Sequence, residues 1–166
     1  MLEHLHECEK ILPQLLRDKK SWNSVYVDYH HPFVARLWRQ WGERRIYLHQ
    51  IWSCKREQSL LHPHPWPSSM KVIQGQYEMG VGYAHNPQHL SEPEIAATIV
   101  LGPGSEYEMC HINSWHYVRP LTQSSFSLMV TGAPWSRMVH KSTYILRELQ
   151  EAQKEVIFRE FERIYG

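Results

Sequence analysis

The chain has 166 residues, 42% hydrophobic and 21% charged, the size and balance of one soluble globular domain with room for a substantial core. Lys+Arg 18 against Asp+Glu 17 leaves a formal charge of +1 and no dense basic run, which argues against nucleic acid as a partner. Cys8, Cys54 and Cys110 are odd in number and widely spaced, which argues against a disulfide framework or zinc ribbon, and no apolar run is long enough to span a membrane, so a cytoplasmic protein is expected.

The first element in chain order is helical. Leu2, Leu5, Cys8, Leu12 and Leu15 recur at helical spacing with Glu3, Glu7, Glu9 and Lys10 between them, and Pro13 interrupts the pattern. Two short helices or a kinked one are predicted over residues 1–22. Val25–Tyr29 and the run from Arg45 to Cys54 are rich in β-branched and aromatic residues and read as strands. Three prolines in Leu61–Pro67 forbid a helix there and leave an edge strand or an extended loop. Strands are expected again at Met70–Ile73, Tyr77–Val81, Ile95–Leu101, Tyr107–Met109, Trp115–Val118 and Ser125–Thr131, with Gly75 and Gly102-Pro103-Gly104 as turns and a polar loop over His85–Pro93. Ile145, Leu149, Ala152, Val156, Phe161 and Ile164 form one stripe of a long amphipathic helix predicted over residues 137–165. The whole chain reads as a single, mainly β domain: a jelly-roll type β-barrel over residues 24–132 with helices at both ends.

Twelve histidines supply the chemistry. His62 and His64 are separated by one residue, so on an extended chain both imidazoles point to the same face. In Trp115-His116-Tyr117-Val118, alternation puts His116 and Val118 on one face and Trp115 and Tyr117 on the other. Three neutral imidazoles converging on one point suit a divalent metal such as Fe(II), Zn, Ni or Cu. His111, five residues before His116, is a weaker competitor because it sits in the loop entering the strand.

These residues resemble the cupin superfamily, small jelly-roll barrels with a metal in the mouth. The first cupin motif has two histidines one apart, a glutamate four or five residues on and a glycine seven beyond it. His62, His64 and Gly75 fall at matching places, and the turn Gly102-Pro103-Gly104 followed by His116 is similar to the second motif. The match runs from about Arg45 to Gly132, and Ser68 or Ser69 stands where the glutamate ligand is usual. A three-histidine site without carboxylate is similar to that of thiol dioxygenases of the cysteine dioxygenase kind. The resemblance therefore implies Fe(II), with Zn, Ni or Mn as alternatives, held by His62, His64 and His116, and a dioxygenase acting on a small anionic or thiol substrate. Such a site lacks one negative charge, which favours anionic ligands.

His49, on the strand before the pair, is a candidate cavity-lining acid or base, and Tyr117 stands among several tyrosines as a candidate phenol orienting dioxygen or substrate. Glu78 is too distant in the pattern to replace the missing carboxylate and reads as a solvated strand residue. Two other functions stay open at this point: a non-catalytic cupin that binds a small molecule, and a redox-inert metal-dependent isomerase or lyase. The edge around Val25–Tyr29 is available for a homodimer.

Overall fold

Leu5, Cys8, Leu12 and Leu16 face one way along a helix, α1 (Leu2–Arg17), and all four are buried. The computed structural model describes residues 1–84, 92–135 and 146–166. α1 runs unbroken through Pro13, where the proline predicts a break. Burial of the leucine stripe against the large sheet and the second helix offsets the hydrogen bond lost there, a cost of about 3 kcal/mol.

Ten strands follow: β1 (Asn23–Val27), β2 (Val34–Trp41), β3 (Arg44–Trp52), β4 (His62–Pro63), β5 (Ser68–Gln74), β6 (Tyr77–Tyr83), β7 (Ile95–Leu101), β8 (Glu106–Met109), β9 (Ser114–Pro120) and β10 (Ser124–Thr131). They build two antiparallel sheets, a larger one in the order β1-β2-β3-β10-β5-β8 and a smaller one in the order β4-β9-β6-β7. The proline-rich stretch yields only the two-residue edge strand β4, because prolines cannot donate to a ladder. β2 has no counterpart among the predicted strands. Arg36 and Arg39 interrupt the apolar run Val34-Ala35-Leu37-Trp38-Trp41, so its strand character emerges only through pairing with β1 and β3.

The second helix, α2, spans Glu151–Tyr165 and starts later than its stripe predicts. Gln150 caps it in a reciprocal pair with Gln153, and just upstream the Tyr26 N–H donates to the Arg147 carbonyl at 2.7 Å. Residues 146–150 are therefore extended rather than helical, and Arg147 occupies the outer side of β1 at Tyr26, the edge expected to be open to a second copy. Ile157, Phe158 and Phe161 face inward, whereas Ile164 is 44% exposed. The first part of the predicted C-terminal helix and most of the His85–Pro93 loop lie outside the described residues.

Both helices cover one face of the large sheet through Trp22, Leu37, Ile46, Leu48, Phe126 and Leu128. A second apolar cluster joins Val34, Ile51 and Val72 of the large sheet to Tyr77, Met79 and Val118 of the small one. A cavity opens between the sheets beside this cluster. Among the described residues no helix is long and apolar enough to cross a membrane.

Candidate metal centre

β4 and β9 pair antiparallel with His62 directly opposite His116, so two of the three predicted ligands meet across one rung of the ladder. His64, two residues beyond His62, returns to the same face. Ring centroids lie 5.6 Å apart for His62–His64, 4.9 Å for His62–His116 and 4.6 Å for His64–His116. One ligand nitrogen from each lies within 4.8 Å of the others. The Nε2 atoms of His64 and His116 are 2.9 Å apart, the spacing of two ligands that each sit about 2.1 Å from one metal at right angles.

The second ring nitrogens fix the tautomers. His62 Nδ1 lies 3.0 Å from the Leu60 carbonyl, which can only accept, so Nδ1 carries the proton and Nε2 keeps its lone pair. His116 Nδ1 faces the Met79 sulfur at 3.5 Å, again an acceptor only, with the same result. His64 Nδ1 lies 2.5 Å from the Ser68 hydroxyl, which can donate or accept. With only a proton between His64 and His116, His64 carries it on Nε2 and accepts from Ser68. Were a divalent cation to take that place, His64 would carry its proton on Nδ1 and donate to the same hydroxyl. Ser68 thus serves the three-histidine set by orienting a ligand where the cupin pattern has a carboxylate ligand.

Burial lowers the basicity of all three. The His62 pKa is pushed down to about 4 and that of His64 to about 3, by desolvation first and by neighbouring cations and imidazoles after it. His116 is held well below its ordinary value by burial and then by His64 and His62. At neutral pH the cluster is three uncharged nitrogen donors, which is what a divalent metal needs.

The cavity has a volume of about 220 Å³. Its walls carry polar atoms without partners. Arg36 of β2 lines it with a buried Nε that makes no hydrogen bond, and among the described residues no carboxylate pairs with this guanidinium, whose pKa is lowered by desolvation. His49, paired with Arg36 across β2 and β3, is 3% exposed, has an unpartnered Nε2 and is held well below its ordinary pKa by burial and then by Arg36. The Trp66 indole N–H is also buried and unpartnered in this wall.

Of the residues singled out from sequence, His62, His64, His116 and His49 come together in one cavity. Tyr117 does not: it lies on the opposite face of β9, over Gly80, and its hydroxyl donates to Glu78 at 2.9 Å. Glu78 is bound there by Arg119, on the side away from the cavity. His111 lies in an exposed turn, 3.5 Å from the Tyr83 hydroxyl. Sequence reading passed over Arg36 and Met79. The signal for Arg36 was a charge between the apolar pairs Val34-Ala35 and Leu37-Trp38; for Met79 there was none, because a methionine in a strand reads as core.

No family profile matches the chain, and no curated protein matches it either. Solved structures do. The chain is similar to hydroxypropylphosphonic acid epoxidase from S. wedmorenis, with a TM-score of 0.51 and 12% identity over 68% of this chain and 56% of that one. It is similar also to the Fe(II) form of HppE in complex with substrate, with a TM-score of 0.52 and 10% identity over 68% of this chain and 57% of that one. The fold is cupin-like. At these identities the likeness is one of fold, and the chain spans little more than half the length of either neighbour. The three-histidine cluster sits within this cupin-like frame.

Proposed function

We propose that this chain is a metal-dependent cupin enzyme, an Fe(II) dioxygenase that acts on a small anionic or thiol substrate. The observation that carries the reading is one cavity lined by three neutral imidazoles and by a guanidinium that, among the described residues, no carboxylate pairs. A guanidinium desolvated without a carboxylate is costly in an idle protein and is offset when an anion binds. The volume of about 220 Å³ favours a metabolite-sized ligand over a drug-sized one.

His62, His64 and His116 would hold the metal. Bound there, Fe(II) would supply Lewis acidity and redox chemistry toward a small substrate. The remaining work belongs to the chain. Arg36 anchors the anionic end of the substrate and fixes its orientation toward the histidines. His49, neutral and beside Arg36, is placed to take or return a proton on the substrate. Val34, Ile51, Met70, Met129 and Val118 keep the cavity apolar and limit water.

The test is anaerobic reconstitution with Fe(II), metal analysis, and oxygen uptake with cysteine, mercaptopropionate, diketones and, since the structural neighbours act on a phosphonate, hydroxypropylphosphonic acid. One iron per chain and uptake with one of these is expected. Stoichiometric iron without uptake for any of them would remove the dioxygenase reading. Activity restored by zinc would replace it with a redox-inert isomerase or lyase.

A further inference from the structure

The three histidines differ in what stands behind them. His62 and His64 face oxygen, the Leu60 carbonyl at 3.0 Å and the Ser68 hydroxyl at 2.5 Å. His116 faces sulfur, the thioether of Met79 at 3.5 Å. Met79 is 3% exposed in the middle of β6 and packs among Val72, Tyr77 and Val118. The nearby phenols are engaged elsewhere: Tyr77 donates to the Tyr107 hydroxyl at 3.2 Å, and Tyr107 donates to the Met70 sulfur at 2.9 Å. Tyr107 therefore spends its proton on a second thioether although its ring centre lies 6.1 Å from that of His116. Two thioethers, Met79 and Met70, thus accept from the groups behind His116.

We propose that Met79 is a positioning residue: its weak N–H···S contact fixes the His116 tautomer while keeping the ring a poor electron donor, and so holds a bound metal at a higher reduction potential than an oxygen acceptor would. The inference rests on the three-histidine metal reading. An imidazole whose N–H is taken by a carboxylate or carbonyl becomes more basic and gives more electron density to the metal, which favours the higher oxidation state. A thioether is a soft, weak acceptor. It orients the ring without that gain in basicity. Iron held this way would be biased toward its reduced form.

Met79→Leu keeps the volume and removes the acceptor; Met79→Gln puts an amide oxygen at similar reach. In the metal-free protein, nitrogen NMR of the His116 ring should show the Nδ1–H tautomer in the wild type and a mixture in Met79→Leu. Fe(II) affinity should fall about 10-fold in Met79→Leu, at the low end of losses seen for outer partners of metal ligands. The midpoint potential of the iron-loaded protein should be lower in Met79→Gln than in the wild type, and no lower in Met79→Leu. An unchanged tautomer and an unchanged affinity in Met79→Leu overturn the role of Met79 while leaving the metal reading intact, and Met79→Leu alone decides this if Met79→Gln does not fold. A Met79→Gln potential equal to or above that of the wild type overturns the tuning. A wild type that takes up no iron overturns the metal reading and the tuning with it, and the tautomer measurement still scores the N–H···S contact.

Discussion

His62, His64 and His116 inside the cavity and His6, Glu9 and Glu106 on the outer surface each bring three ligand atoms within 4.8 Å of one another. Composition alone makes the outer cluster the better cation site, since it carries two carboxylates. Its valences are already satisfied. Lys71 Nζ lies 2.7 Å from Glu9 and 3.0 Å from Glu106, His6 lies 2.8 Å from Glu106, and the Tyr165 hydroxyl donates to Glu9 at 2.7 Å. In the inner cluster, by contrast, the inward nitrogens have only one another, with one proton shared between His64 and His116 at 2.9 Å and no cation of the protein among them. An ion site is marked by donors that no cation of the protein already holds, and not by the count of ligand types.

The largest effect expected from that difference is in metal uptake. His116→Ala should weaken Fe(II) or Co(II) binding by on the order of 100-fold, a single ligand's share of a protein metal site. Glu106→Ala should leave it within about twofold, because the outer carboxylate is an ion-pair partner and no ligand. Equal losses in a metal titration of the two variants would place the ion elsewhere.

Next in size is the anion. Arg36→Met should raise the KM for the anionic substrate about 10- to 100-fold, the range of a hydrogen bond to a charged group. The melting temperature of the ligand-free protein should stay level or rise, because a desolvated and unpaired cation has gone. A melting temperature that falls while KM stays put would make Arg36 a structural residue.

Arg36 also shows where sequence reading ran out. The sheets, the edge character of the proline-rich stretch and the three converging histidines were legible because each rests on a local period: two for strands, the missing N–H of proline, and i,i+2 geometry at His62 and His64. β2 was not, since its two arginines break the alternation, and only pairing with β3 reveals that Arg36 and His49 are neighbours. α2 was overextended, because a stripe at helical spacing continues past the point where Arg147 joins β1. Tyr117 illustrates the opposite case. Alternation already placed it away from His116, and the structure has its hydroxyl on Glu78.

Acid should affect the inner cluster more gradually. In the unfolded chain its histidines titrate near 6.5, whereas in the folded protein burial pushes His62 down to about 4 and His64 to about 3. Above the unfolded value neither state binds a proton, and this source of instability is absent. As pH falls below about 6.5 the unfolded chain takes up protons that the folded one refuses. Stability should then fall by up to about 1.4 kcal/mol per pH unit for each histidine that stays neutral, until the folded values are reached. Chemical denaturation of the metal-free protein between pH 7 and 4.5 measures the slope, and His64→Gln should flatten it. A flat profile in the wild type would mean that these rings are solvated.

The smallest effect should come from the outer cluster, and it tests the comparison from the other side. Lys71→Met removes the cation that fills the space between Glu9 and Glu106. The lost ion pairs are partly exposed, so destabilisation should be at most about 1 kcal/mol. What remains, His6 with two unbalanced carboxylates, is then a set of donors that no cation of the protein holds, as in the inner cluster. The variant should acquire weak divalent binding, seen as Mn(II) broadening of the His6 and Glu106 resonances and as partial recovery of stability on adding Mn(II), while the wild-type outer cluster shows neither. If Lys71→Met gains no affinity for Mn(II), the absence of a resident cation is not enough to make a site, and the convergent geometry of the cavity histidines is the property that distinguishes the two regions.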